Sequence, residues 1–237
     1  MASGAQHPLD NPIQHALMTC QAKFAETSGT ARRFPVEITT LAGFLEEPTR
    51  EGYAALASLV RVGETVALFL QSPPAPPAAW SIVETVPLLQ MVHEGRADVT
   101  SAIEAEELGA ADASEAQALA EVTRPGPFGR RTLELGTYLG IRRAGRLVAM
   151  AGFRLRLPGY AEVSAVCTDP EHLGRGYASA LVAALVRQAR ARGEVPFLHV
   201  RPENRRAVEL YARLGFKARK TFHLAVLRKD GNSPAAD

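Results

Sequence analysis

The sequence predicts an α/β (α+β) protein with a mixed, mainly antiparallel sheet flanked by helices, preceded by a second, smaller α/β domain. Three observations carry this. The chain has 237 residues, 46% of them hydrophobic, and about 100 to 200 residues per domain suggests two modest domains. Tyr138–Arg143, Arg146–Leu155 and Tyr160–Thr168 are apolar runs separated by Ala144-Gly145 and Pro158-Gly159, spacings that suit antiparallel hairpins. Helical and strand patterns also alternate in both halves.

In chain order, Asn11–Thr19 reads as a short helix and Phe34–Leu45 as a strand. Pro48–Leu59 reads as a helix, with Pro48 at its start, Glu51 in its first turn, and Tyr53, Leu56 and Leu59 on one stripe. Thr65–Leu70 is a strand, the proline-rich Ser72–Trp80 a loop, and Ser81–Val92 a strand again. His93–Ser101 is the expected linker, giving an N-terminal domain at residues 1–95 and a second domain at residues 96–237. Ala111–Glu121 is a helix capped by Asp112 or Ser114 and broken by Arg124–Gly129. After the three strands come an amphipathic helix over Gly176–Arg190, a strand at Phe197–Arg201, a helix at Asn204–Leu214 closed by Gly215, and a strand at Phe216–Leu227. The tail beyond Lys229 is expected to fray.

Charge narrows the function. Residues 1–95 hold five Lys and Arg against nine Asp and Glu, whereas the remainder holds 22 against 16. The second part is therefore the better host for an anion. No arginine-rich stripe interleaved with aromatics marks a nucleic-acid surface. No apolar run reaches the roughly 18 residues that span a bilayer, and the opening segment lacks the pattern of a signal peptide, so a cytoplasmic protein is expected. Cys20 and Cys167 lie far apart without metal-type spacing and read as plain thiols.

The segment Val166–Leu185 joins a strand, a turn containing Pro170, the pair Gly174 and Gly176, and then a helix. The glycines allow close backbone approach, and a helix start offers free N–H groups and partial positive charge, so the segment can cradle an anion. It is not a Walker A loop, because Tyr177 and Ala178 follow Gly176 in place of Lys and Ser or Thr. A dinucleotide fingerprint also fits poorly, since Ser179 occupies the place of the third glycine.

This segment resembles motif A of the GNAT acyltransferases, Gln/Arg-x-x-Gly-x-Gly/Ala, here Leu173, Gly174, Arg175, Gly176, Tyr177, Ala178, with Leu173 departing from the expected polar residue. Downstream, Asn204, Ala207, Tyr211, Gly215 and Phe216 match the family's motif B at every position. The resemblance covers roughly Ile103–Arg228. It implies acetyl-CoA as co-substrate, bound by the backbones of Val166 and Thr168, which flank Cys167, and by the amides of Leu173, Gly174, Arg175, Gly176, Tyr177, Ala178 and Ser179. It requires no metal. Asn204 and Tyr211 are seven residues apart, nearly two helical turns, so both can reach one ligand: Asn204 the pantetheine amide and Tyr211, as general acid, the departing thiolate.

Glu162, four residues before Val166 and hence on its face by the period of two, is the candidate base; His199 and His172 are rivals. The expected reaction is direct attack of a primary amine on acetyl-CoA in a ternary complex. The amine could belong to a small molecule or to a peptide or protein, and a homodimer remains open. The rival class is a catalytically inactive CoA-binding regulatory or structural module. Residues 1–95 contain no glycine cradle, so one acetyl-CoA site per chain is expected, whether or not the N-terminal domain is a degenerate GNAT-like fold.

Overall fold

The computed structural model describes residues 7–95 and 103–231. In chain order these form α1 (Pro12–Met18), β1 (Glu26–Ser28), β2 (Ala31–Arg33), β3 (Leu41–Phe44), α2 (Arg50–Leu59), β4 (Thr65–Leu70), β5 (Trp80–His93), β6 (Glu106–Leu108), α3 (Ala113–Thr123), β7 (Tyr138–Arg143), β8 (Arg146–Leu157), β9 (Tyr160–Thr168), α4 (Tyr177–Ala191), β10 (Val195–Val200), α5 (Arg205–Arg213) and β11 (Phe216–Lys229). Among the described residues no helix is long and apolar enough to cross a membrane.

Two compact units result, and neither is one stretch of chain. The first takes the described residues of Met1–Pro35, Thr40–Leu88 and Thr221–Asp237; the second takes Val36–Thr39 and Leu89–Lys220. The boundaries thus fall inside β5 and β11, whereas the sequence suggested a cut at residues 95 and 96. His93, expected to open the linker, is the buried last residue of β5, and residues 96–102 of that linker lie outside the described residues. The run Phe34–Leu45 is not one strand: only Leu41–Phe44 pairs in a sheet, because Pro35 has no N–H to donate to a ladder.

In the first unit, β1, β2, β3, β4 and the second half of β11 are neighbours in that order. Strands β3 and β4 run parallel, with α2 as their crossover. The stripe on α2 is as expected: Tyr53 and Leu56 are buried with Phe44, Leu68, Trp80 and Leu227. Thr49 caps this helix, its Oγ1 accepting from the Gly52 N–H at 3.1 Å.

In the second unit the order is β5, β10, β9, β8, β7, β6, antiparallel throughout except for the parallel pair β9 and β10. The sheet is therefore mixed and mainly antiparallel. Ala144 and Gly145, with φ of 49° and 79°, form the turn between β7 and β8, the left-handed pair that a two-residue hairpin favours. Helix α4 buries Leu181, Val182, Leu185, Val186 and Ala189 on one sheet face, together with Tyr211 and Phe216. Ala116, Leu119 and Ala120 of α3 pack on Tyr138, Met150, Ala165 and Cys167. Arg142 is held by Glu106, Asp112 and Glu115.

One irregularity reorganises β9. Cys167 pairs with Met150 and Ser164 with Gly152, so Ala165 and Val166 together oppose Ala151. Ala165 has φ of 52°, a left-handed conformation that costs an L-residue about 1–2 kcal/mol. The bulge reverses the alternation. Val163 and Val166 both pack toward the α4 cluster, while Ala165 and Cys167 belong to the cluster around α3.

Because a glycine takes this conformation freely, Ala165→Gly is expected to keep stability within about 1 kcal/mol, whereas the β-branched Ala165→Val should lose about 2 kcal/mol or more. Urea denaturation of the two variants measures the difference; equal stabilities would contradict a strained bulge.

Candidate active site

The start of α4 is built for an anion. Gly174 and Gly176 have φ of 77° and 79°, and a Cβ at Gly174 would meet nothing within 4 Å. Backbone conformation, more than space, therefore demands glycine there. Gly176 is the N-cap and supplies no side-chain cap. The first bond of the ladder runs from the Ala180 N–H to the Gly176 carbonyl at 3.0 Å, so the amides of Tyr177, Ala178 and Ser179 precede it and point out of the helix start. Leu173 and Arg175 are exposed on the loop. Tyr177 is buried, and its hydroxyl accepts from Arg143 Nε at 2.9 Å. The guanidinium also lies 4.9 Å from the Tyr177 ring centre. This places a cation beside the helix start that neither motif identified.

Beside this loop the parallel pair opens. Strands β9 and β10 pair at Val195 with Tyr160, Pro196 with Ala161 and Phe197 with Glu162. Beyond that point β10 stays with β5, as far as Val200 opposite Leu89, and β9 stays with β8, as far as Thr168 opposite Ala149. The strands diverge, and the β10-facing edge of β9 from Val163 to Thr168 leaves the ladder. Val166 and Thr168 lie on this edge, half-buried. An extended amide-bearing chain fits such an edge because it can supply the missing backbone partners.

Tyr211, on α5, is buried with its ring 6.1 Å from that of Phe216. Burial pushes its phenol up to about 12, with a smaller contribution from Cys167. It therefore stays protonated as a hydrogen donor throughout the neutral range. Asn204 is exposed as the N-cap of α5, and its Oδ1 accepts from the Ala207 N–H at 3.1 Å. Only its Nδ2 remains to donate outward. Burial pushes the Cys167 thiol up to about 11, so a thiolate nucleophile is disfavoured there.

Glu162 is not on the face of Val166. The bulge at Ala165 breaks the period of two, and Glu162 alternates with Ala161 and Val163, both packed toward α4. It is fully buried and bound by Arg154 through two hydrogen bonds, Nε to Oε2 at 2.9 Å and Nη2 to Oε1 at 2.7 Å. Burial alone would raise its carboxyl. The charge of Arg154, with hydrogen bonds from His199 and Arg154, outweighs burial and holds it at about 2. Such a group is a weak proton acceptor.

The pair belongs to a longer array. His199 Nδ1 lies 2.7 Å from Glu162 Oε1, its Nε2 lies 3.1 Å from Gln90 Nε2, and Gln90 Oε1 accepts from Arg219 at 2.8 Å. With Gln90 donating, the Nδ1–H form of a neutral imidazole satisfies both contacts. Burial pushes the His199 imidazolium down against the pull of Glu162. One polar residue per strand thus runs across β8, β9, β10, β5 and β11. Of the five, sequence reasoning singled out only Glu162 and His199. An arginine inside the otherwise apolar run Leu147–Leu155 is the signal that could have added Arg154. His172 sits apart from this array, on the turn before the glycine loop, with Nδ1 3.6 Å from Asp169.

The diverging parallel pair, the glycine-turned helix start and the buried tyrosine all lie in the second unit, and comparison with known proteins gives the family. The family profile "FR47-like protein" matches residues 138–224. N-alpha-acetyltransferase RimI of Mycobacterium tuberculosis is 34% identical over 110 residues, covering 41% of this chain and 68% of the relative. A structure described as a GNAT-family acetyltransferase from Novosphingobium aromaticivorans is 38% identical, with a TM-score of 0.89 over 95% of this chain and all of the other. A GCN5-related N-acetyltransferase from Kribbella flavida shares the fold at 20% identity, with a TM-score of 0.59 over 92% of this chain and 96% of its own. The chain belongs to the GNAT family of acetyltransferases, whose general reaction is acetyl transfer from acetyl-CoA.

Glu162→Gln keeps the shape but leaves the Arg154 charge buried without its counter-charge, so a loss of about 3–5 kcal/mol is expected. Because the folded carboxyl is held at about 2, below its ordinary 4.5, its contribution is complete above pH 4.5. It is lost as pH falls toward 2. Stability measured against pH should show this acid limb in the wild type and a shallower one in the variant. Unchanged stability in the variant would contradict the pairing.

Proposed function

We propose that this chain transfers the acetyl group of acetyl-CoA to a primary amine by direct attack in a ternary complex, with the second unit carrying the chemistry. The observation that supports this most is the opening between β9 and β10, whose β9 side runs on through the glycine loop into the helix start of α4; in this reading Tyr211 of α5 serves the thioester end. The amides of Leu173 to Ser179 hold the diphosphate, the free edge at Val166 and Thr168 pairs with the pantetheine arm, and Asn204 Nδ2 donates to it. These contacts fix the thioester so that little further ordering is needed in the transition state.

Tyr211 donates its hydroxyl hydrogen to the departing sulfur and is reprotonated by the second proton that the acylated nitrogen releases as the amide forms. Glu162 then has a positioning and electrostatic role. Held ionised by Arg154, it orients His199 and lends a fixed negative charge, while the proton of the attacking ammonium leaves through water. The acceptor is a small-molecule amine or a peptide or protein amine; the name of the mycobacterial relative makes a protein α-amine a natural member of any test panel.

The first unit also has a parallel strand–helix–strand crossover, β3–α2–β4, but its helix start is already capped by Thr49 and carries Glu51 in the first turn. An anion gains little there. One CoA per chain is therefore expected by calorimetry, and two equivalent sites would contradict the assignment.

Tyr211→Phe should lower kcat about 10²-fold or more with CoA affinity unchanged, measured as thiol release across a panel of amines. Unchanged turnover would remove the role of the hydroxyl. CoA binding without thiol release for any acceptor would favour a regulatory module.

A further inference from the structure

His93 takes no part in the transfer site, yet it lies behind the helix that carries Tyr211. It is the last residue of β5, 3% exposed, and neither ring nitrogen has a hydrogen-bond partner among the described residues. Buried polar groups are as a rule hydrogen-bonded, so this ring is held by packing. The packing is tight. The N–H groups of Glu94 and Gly95 both donate to the Gly215 carbonyl, at 3.1 and 3.3 Å. A Cβ at Gly95 would lie 3.1 Å from the Gly215 Cα, and one at Gly215 would lie 3.0 Å from His93 Nε2.

This clamp closes on the corner that joins α5 to β11. The Leu214 N–H donates to the carbonyls of Leu210 and Tyr211, at 3.1 Å each, so the corner is the end of the helix that carries the phenol. The His93 ring meets Phe216 edge-on, with centres 5.1 Å apart and planes at 79°. Phe216 meets Tyr211 in the same manner, at 6.1 Å and 64°. A row of three rings therefore leads from His93 to Tyr211.

The surroundings suit only the neutral imidazole. Burial disfavours the imidazolium and the charge of Arg190 on α4 repels it, while the Leu214 backbone favours it without being placed to bond to it, and the group is pushed below its ordinary 6.5. The Glu94 carboxylate, adjacent in the chain, is already paired with Lys217 of β11 at 2.8 Å, and Arg213 at the end of α5 is exposed. A proton taken up by His93 thus puts an unpaired charge in a dry corner, and the ring must leave Phe216 to reach water.

We propose that His93 is a positioning residue for Tyr211 and makes it proton-sensitive: the neutral ring wedges the corner between α5 and β11 in place, and the protonated ring releases it and moves the phenol away from the thioester sulfur. The effect on turnover rests on the acetyl-transfer reading; the movement of the corner does not.

The full-length protein is titrated from pH 8 to pH 5 by NMR, following the His93 imidazole and the rings of Phe216 and Tyr211. Thiol release from acetyl-CoA is measured over the same range with the most active amine of the panel. The expected result is one transition below pH 6.5 shared by all three rings, and a fall in kcat between pH 8 and pH 5 that is about threefold or more larger in the wild type than in His93→Gln, whose side chain cannot take the proton. Titration of the amine itself is common to both proteins and cancels in this comparison. Should His93→Gln fail to fold, His93→Phe, which keeps an aromatic ring against Phe216, supplies the comparison. An imidazole that stays neutral to pH 5, Phe216 and Tyr211 rings that stay fixed while it titrates, or equal pH profiles in wild type and variant would each overturn the proposal. If no amine releases thiol at any pH, the transfer reading fails, and the ring titration alone decides the role of His93.

Discussion

The parting of β9 from β10 is the constraint on which the rest of the second unit depends. Parallel strands in one sheet normally keep their ladder, and a ladder that stops leaves polar backbone that needs another partner. Here the opening is imposed from both sides. Strand β10 follows β5, β9 follows β8, and the bulge at Ala165 adds the residue that lets β9 bend away. The strain at Ala165 is offset by the apolar burial of Val163 and Val166 on one face and of Ala165 and Cys167 on the other.

The buried polar array completes this frame. Arg154, Glu162, His199, Gln90 and Arg219 tie five neighbouring strands where the parallel pairing ends. Apolar residues in those positions would bury as much area. Hydrogen bonds with fixed directions specify one register across the opening, which a site with defined geometry requires. The same array explains why a carboxylate in the position expected of a base is a weak acceptor: its negative charge is already committed to a guanidinium.

Much of this was legible in the sequence because it is local. The turns Ala144-Gly145 and Pro158-Gly159 mark their hairpins, the stripe of α4 follows from its period, and Gly174 and Gly176 mark the loop that leads into that helix, although positive φ more than close approach is what requires glycine there. What stayed hidden depends on partners distant in the chain. Alanine carries no signal for a positive φ, so the period of two was carried straight through Ala165 and put Glu162 on the wrong face. Strands β1, β2 and β6 have three residues each, too few to show alternation, and are held by pairing. Nothing within Thr221–Lys229 indicates that this half of β11 pairs with β4, since that contact joins residues more than 150 positions apart. Asn204 matches its motif, and the cap it makes on α5 commits its Oδ1 to the Ala207 N–H, so its Nδ2 is the group turned to a ligand.

The central claim is that backbone left free by the divergence of β9 and β10, together with the amides that open α4, receives acetyl-CoA. Amide hydrogen exchange with and without CoA tests it residue by residue. The account predicts slower exchange at Val166 and Thr168 and at Tyr177 to Ser179 when CoA is present, with the amides of α2 unchanged. Protection confined to other segments, or none at all under saturating CoA, would contradict it.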